Sequence, residues 1–454
     1  RGAPVRQSEA MMIAAEGVRD ESIVRFPVAP KSLAEAGLPF DVIVPLVLKT
    51  LHFAGELSGA AIAVRLGLQY SVIDPILQHL KSAYLVEVSG GGLTAGPAFV
   101  YRLTDAGRSR TLLALEQSHY VGAAPVPLDA YAAYMHAFAA AAPRPATRER
   151  VRAAFRKLVL SQRVLDQLGP AINGGHSLFV YGPPGNGKTV IAQAIAELLD
   201  GEIAVPHAIV ADGHIIRVFD PSVHHAITAA EDTAALTAGD RVDDGRWVRC
   251  KRPMVMVGGE LELSDLDLSY RALAQVYQAP LQLTANGGML IIDDFGRQKC
   301  SPVAMLNRWI TPLESRVDFL TLQTGQKLVM PFAVLVVFAT NIKPSELFDE
   351  AFLRRIRYKV FAESPTTEDF KKIFENCCRE RDLSFDTSLV DALITDVFEP
   401  RGIPLRGTHP RDLIDQALSL ADYLGQPRTL TRELLREASA SYFVDERDGL
   451  APGQ

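Results

Sequence analysis

Apolar and polar positions fall into blocks whose periods predict their elements. Residues 40–54 are apolar over a length that predicts a helix, and 57–66 (LSGAAIAVRL) predict a second, shorter one. In a third, from Ser71, residues Ile73, Ile76, Leu77 and Leu80 recur at helical spacing; Asp74–Pro75, a cap followed by a first-turn proline, offers a later start. LVEV, a glycine stretch at Gly90–Gly92 and FVYRLT then predict two short strands about a loop. Residues 119–146 are rich in Ala and Pro and read as a linker with one short helix. From Arg148 a helix runs to Gly169–Pro170, an α/β region continues to about residue 363, and a helical segment reaches about 443. Three apolar runs in the α/β region predict buried parallel strands: SLFVY (177–181), the centre of GGMLIIDD (287–294) and FAVLVVFATN (332–341). Pro27, Pro30 and Pro39 punctuate a first segment expected to be a flexible arm, and DGLAPGQ is expected to be a disordered tail.

The first of those strands runs into Gly182-Pro183-Pro184-Gly185-Asn186-Gly187-Lys188-Thr189, and VIAQAIAELL follows it as a helix. Strand, G-x-x-x-x-G-K-T and helix together make a phosphate-binding loop. Glycines let backbone N–H groups wrap the phosphates, and the helix N-terminus adds its dipole. Lys188 can reach the β- and γ-phosphates, and Thr189 can offer its hydroxyl to Mg²⁺. The second strand ends in Asp293 and Asp294, at the strand end where open α/β sheets bind ligands. Asp293 is expected to hold Mg²⁺, directly or through water, and Asp294 to orient or deprotonate an attacking water.

The combination resembles the AAA+ ATPases, and the resemblance covers residues 150–440. It implies an α/β P-loop NTPase core with a parallel sheet, a C-terminal helical lid, ATP and Mg²⁺ as ligands, and ATP hydrolysis. The family usually carries Asp-Glu where this chain has Asp293-Asp294. Thr340-Asn341 resembles sensor 1, for which Asn341 is chosen over Thr340. Asp349-Glu350-Ala351-Phe352-Leu353-Arg354-Arg355-Ile356 is similar to the segment that supplies arginine fingers to a neighbouring subunit; Arg354 and Arg355 both fit, ahead of Arg357. His409-Pro410-Arg411-Asp412-Leu413 opens a helix, and its Arg411 resembles sensor 2, with Arg406 in reserve. A predicted hairpin, VDFLTL-QTGQ-KLVMPF, just before sensor 1 is similar to the branch containing MoxR-type proteins, magnesium chelatase and RuvB. Strings such as IRVFD and EAFLRRIRYKV look like a bacterial group of AAA+ ATPases without a known client.

Three helices and a hairpin in the N-terminal part resemble a winged-helix domain. The expected organisation is a flexible arm (1–37), a winged-helix-like domain (38–118), a linker (119–147), the AAA+ core (148–363), the lid (364–443) and a disordered tail (444–454). The stretch between Lys188 and Asp293 is longer than a plain core needs, with the excess at about 203–285. His207, His214, His224 and His225 lie there without a recognisable ligand spacing.

Charge then decides between partners. The chain has 454 residues, a formal net charge of −6 and a pI near 6.0, so an overall basic footprint for nucleic acid is absent. Most of its basic residues are arginine. In the winged-helix-like domain Lys49, Arg65, Lys81, Arg102, Arg108 and Arg110 are matched by Asp41, Glu56, Asp74, Glu87, Asp105 and Glu116. Without net phosphate neutralisation, protein docking is favoured over nucleic acid. Cys250, Cys300, Cys377 and Cys378 form no CxxC pair or disulfide framework, which suits a reducing cytoplasm. No apolar run approaches the ~20 residues of a membrane helix, and the first residues lack the apolar core of a signal peptide. The expected activity is ATP hydrolysis coupled to remodelling a protein or complex, in a homo-oligomeric ring of six with arginines acting in trans. The alternatives are a winged-helix ATPase acting on nucleic acid and an ATP-gated scaffold that does not hydrolyse. The tripeptide of threading unfoldases, aromatic–apolar–Gly in the pore, is missing between residues 190 and 290.

Overall fold

The computed structural model describes residues 25–90, 96–141, 145–227, 242–347 and 353–443. The tail expected at 444–454, most of the arm, the centre of the glycine loop and residues 349–352 of the finger segment lie outside the described residues.

The N-terminal module is built on three helices, Phe40–Ala54, Gly59–Arg65 and Tyr70–Ser82. The third begins one residue before Ser71, and Pro75 sits in its second turn; Asp74 does not cap it but accepts a hydrogen bond from the Tyr70 hydroxyl at 2.7 Å. Strands β1 (Glu56–Ser58), β2 (Val86–Gly90) and β3 (Val100–Leu103) form an antiparallel sheet in the order β1-β3-β2, so the expected hairpin gains a third strand. Helix Asp105–Gln117 closes the module. Ile43, Val47, Leu51, Ile62, Leu66, Ile73, Ile76 and Leu80 share one core at essentially zero exposure.

Part of the expected flexible arm is folded, and the helix expected in the linker is packed into the fold. In the arm, residues 25–37 are held to the later insert. Ala29 N donates to Val242 O and Asp244 N to Pro27 O, both at 2.9 Å, and Ser32 caps a short helix, Leu33–Ala36. In the linker, β4 (Val126–Pro127) joins a sheet, and helix Leu128–Ala140 buries Tyr131 and Met135, four residues apart on one face. Composition hid these two anchors among alanines.

The main sheet is wholly parallel. It comprises β5 (Leu178–Tyr181), β10 (Met254–Val257), β13 (Met289–Ile292), β16 (Leu335–Thr340) and β17 (Tyr358–Phe361), in the order β10-β13-β16-β5-β17. Every residue of β13 and β16 is buried, as their continuous apolar runs demand. The excess at about 203–285 supplies most of a second layer. In it β6 (Glu202–Pro206) pairs with β9 (Trp247–Lys251). β7 (Ala208–Ala211), β8 (His214–Arg217), β11 (Ser269–Arg271) and β12 (Val276–Gln278) take in β4 as a sheet ordered β11-β12-β8-β7-β4. The predicted hairpin is present as β14 (Val317–Thr321) and β15 (Lys327–Pro331). Buried Asp318 ties it to Arg308 at 2.6 Å and to Gln282 at 2.8 Å.

Residues 367–442 form a helical layer around Phe370, Phe374, Phe398, Leu413, Ile414 and Leu435. Among the described residues the cysteines are free thiols, and no single helix is long and apolar enough to cross a membrane.

Candidate active site

Strand order places the site. Loops leaving the C-terminal ends of adjacent parallel strands meet above the sheet. Gly182–Thr189 leave β5, Asn341 leaves its neighbour β16, and Asp293–Asp294 leave β13 on the other side of β16. The three segments, far apart in sequence, converge there around a phosphate loop. The core is a five-stranded parallel α/β sheet with a phosphate-binding loop at its C-terminal edge.

Within that core, Thr189 Oγ1 donates to Asp293 Oδ2 at 2.7 Å, joining phosphate loop and acidic strand. Asn341 Nδ2 donates to Asp294 Oδ1 at 3.3 Å, while its Oδ1 is buried without a hydrogen-bond partner. Thr340 is spent on the framework: its hydroxyl donates to Phe295 O at 2.6 Å and accepts from Ile342 N. Of the two polar residues at this strand end, Asn341 is therefore the one that meets the acids.

Lys188 opens helix Lys188–Ala196 and is 7% exposed. Its ammonium donates to Gly182 O at 3.1 Å and Pro183 O at 2.8 Å. Desolvation lowers its pKa below the usual lysine value, and Asp294 and Asp293 oppose that shift. Gly185 has φ +77°, and a Cβ there would lie 2.7 Å from Thr408 Oγ1 of the lid. That close approach is sealed by Thr408 N donating to Gly185 O at 2.9 Å.

Asn186 belongs to the loop but bonds the lid. Its amide donates to Ala362 O at 3.4 Å and Ser364 Oγ at 3.2 Å, and accepts from Gly407 N at 3.4 Å. These contacts determine which lid arginine meets the loop. Arg406, one residue before the pinned Gly407–Thr408, donates to Ser364 Oγ at 3.2 Å and acts electrostatically on Lys188. Arg411, expected at the γ-phosphate, instead pairs with its neighbour Asp412 at 3.0 Å with its side chain 58% exposed. The reserve residue thus stands at the loop, and the preferred one does not. His409 supports the turn. Burial drives its pKa down to about 4, and the neutral ring accepts from Arg406 N through Nδ1 at 3.2 Å.

Arg354 and Arg355 lie at the opposite end of the sheet, before β17 begins. Arg355 O accepts from Ser177 Oγ at 3.5 Å, and its guanidinium pairs with Glu314 at 2.6 Å. Neither approaches the phosphate loop of its own chain, a full strand length of roughly 13 Å away.

Among the described residues the insert histidines have other partners. His224 accepts from Asp220 N at 2.9 Å and meets Thr284 O at 2.9 Å, and His207 packs on Phe219. Among the described residues no group of three or more His, Cys, Asp or Glu forms a candidate site.

Residues 156–209, which contain the phosphate loop, match the family model of magnesium chelatase, subunit ChlI. Residues 366–441 match a domain of unknown function, DUF8689. Characterised proteins give no match. Among solved structures, NtrX from Brucella abortus is similar at 15% identity and TM-score 0.39, covering 66% of this chain and 60% of that one. The Thermotoga maritima RuvB Holliday junction branch migration motor is similar at 15% identity and TM-score 0.37, covering 64% and 72%.

Sequence reasoning missed Asn186 as a lid contact, together with Ser364, Thr408 and Gln298. The loop motif that contains Asn186 says nothing of the lid, and Ser364, Thr408 and Gln298 have no charge or motif to mark them. Only pairing across the fold reveals them.

Proposed function

We propose that this protein binds ATP with Mg²⁺ and couples its hydrolysis to remodelling a protein or protein complex, as a homo-oligomeric ring of six subunits. The observation that carries the reading is the double juncture above the sheet: Thr189 with Asp293, and Asn341 with Asp294. A hydroxyl and a carboxylate are hard oxygen donors of the kind Mg²⁺ takes alongside phosphates. The donor set fits, with Thr189 and Asp293 as the ligands; bound there, the ion neutralises charge on the β- and γ-phosphates. Lys188 trades its two loop carbonyls for phosphate oxygens. Asp294 orients the attacking water and accepts its proton. Asn341 holds that carboxylate, and its buried Oδ1, without a hydrogen-bond partner, is a further acceptor. Arg354 and Arg355, remote from their own loop, suit the site of an adjacent subunit.

Purified protein mixed with ATP-Mg²⁺ is expected to turn over and to assemble, read by phosphate release and by mass from light scattering. A monomer with no turnover at any concentration refutes the reading. The lid arginines separate cleanly. A charged hydrogen bond contributes about 1.5–3 kcal/mol, so Arg406→Ala should lower kcat/KM for ATP by about 10- to 100-fold. Arg411→Ala should stay within about threefold; the reverse ranking restores Arg411 to the sensor 2 role.

The N-terminal module, read as winged-helix-like, favours a protein client over nucleic acid. On helix Tyr70–Ser82, the element that would read DNA, Ser71 bonds Lys31 O of the folded arm at 2.9 Å, and His79 packs on Phe40 of the first helix. Retardation of DNA at ~50 mM salt that vanishes by ~200 mM would favour the nucleic-acid alternative. Equal turnover by wild type and Asp294→Asn, both binding ATP, would favour the scaffold.

A further inference from the structure

The turn after β13 must hold Asp294 in a left-handed backbone conformation, φ +47°, which a non-glycine residue adopts only where its surroundings enforce it. Part of the enforcement is backbone pairing: Asp293 N to Val257 O at 2.8 Å and Phe295 N to Ala339 O at 2.7 Å. These fix the residues on either side of Asp294, and its own carbonyl accepts from Arg297 N at 3.0 Å, which closes the turn on itself but does not tie it to the neighbouring strand.

The tie to the strand comes from Gln298. Its Nε2 lies 3.0 Å from Asp293 O, 3.2 Å from Asp294 O and 3.4 Å from Gly258 O, where β10 ends. Its Oε1 accepts from Gly296 N at 2.7 Å. One planar amide therefore ties both acidic residues to the neighbouring strand and closes the turn behind them. We propose that Gln298 is a positioning residue for Asp294, holding the shorter carboxylate of this chain at Asn341 where an attacking water is to be oriented. The assignment rests on the ATP-hydrolysing reading of the site.

The chemistry restricts what can replace it. Three carbonyl oxygens converge on one point, so the group there must donate, while the Gly296 N–H needs an acceptor on the same side chain. Methionine keeps the length and supplies neither. An ionised glutamate keeps the acceptor, lacks the donors and adds a negative charge among oxygens. Without it the turn keeps its Arg297 N–Asp294 O bond but loses its tie to β10, and the Asp294 carboxylate shifts away from Asn341. A shift on the order of 1 Å in a catalytic group can cost about 10²-fold in rate. Substrate binding is spared, because Gln298 does not touch the phosphate loop.

The test uses the full chain as wild type, Gln298→Met and Gln298→Glu. Steady-state ATP hydrolysis is measured beside the affinity for a fluorescent ATP analogue and the thermal midpoint. Both variants are expected to lose about 10- to 100-fold in kcat, Gln298→Glu more, with KM and analogue affinity within about twofold of wild type. Turnover of either variant at the wild-type rate overturns the assignment. So does a loss in kcat matched by an equal loss of analogue affinity and a collapsed midpoint, which marks a merely structural role. A wild-type chain that binds the analogue but never hydrolyses ATP refutes the hydrolysing reading itself, and the assignment with it.

Discussion

Lys188→Ala is expected to weaken ATP binding by on the order of 10²- to 10³-fold while leaving the fold intact. The lysine is the one cation that opens the helix behind the phosphate loop. Its ammonium already bonds two loop carbonyls, Gly182 O and Pro183 O, so it needs little reorientation to meet a phosphate. Two charge-assisted hydrogen bonds at about 1.5–3 kcal/mol each amount to about 3–6 kcal/mol, of which the two loop-carbonyl bonds given up offset part, and each 1.4 kcal/mol is tenfold in affinity. Alanine also leaves Asp293 and Asp294 without the charge that offsets them, so a polyanion meets a more negative site. The fold should tolerate the change because alanine removes a desolvated ammonium along with its bonds and keeps helix propensity. Isothermal titration with ATP-Mg²⁺, beside a thermal melt, measures both halves. An affinity within tenfold of wild type would mean that the loop does not hold phosphate in this way.

How far the sequence reached follows from how local each signal is. The phosphate loop was legible because eight consecutive residues carry it between a strand and a helix. The acids and Asn341 were legible because buried parallel strands must be apolar runs, so polar residues at their C-terminal ends stand out. The insert was not, since its sheet joins β4, β7 and β8 to β11 and β12 across more than a hundred residues, and such pairings leave no periodic trace. The linker misled for a related reason. Tyr131 and Met135 anchor its helix, but alanine-rich surroundings gave no contrast against which to read them. Arg411 was preferred over Arg406 on resemblance alone; the lid turn is set by Gly407 and Thr408 meeting the loop, contacts that exist only after folding.

The folded arm also changes the mechanical picture of the N-terminal module, and Asp244 with Arg246 supplies the test. Arg246 bonds both carboxylate oxygens of Asp244, with Nε 3.0 and 3.1 Å and an Nη 2.8 Å away, and its other Nη donates to Ala36 O at 3.0 Å. Their side chains are 5% and 3% exposed. Beside them Gly67, at φ +63°, lies so close to the insert that a Cβ would fall 2.3 Å from Gly245 O. Module and insert are thus clasped by a buried ion pair and a backbone contact with no room for a side chain. A buried pair is weak evidence of net stabilisation, but stripping one partner strands the other charge, at a cost of about 3–5 kcal/mol. Arg246→Met should therefore destabilise the protein by about that much in urea unfolding. Adding Asp244→Leu should recover most of the loss, because the double variant leaves no charge unpaired. If the single variant unfolds within about 1 kcal/mol of wild type, the clasp is open in solution and the module moves as an independent arm. If the predicted cycle is found, the module is fixed to the insert. Since β9 of that insert leads directly into β10, and β10 ends at the Gly258 carbonyl that Gln298 touches beside the acids, the module is then tied to the turn that carries Asp294.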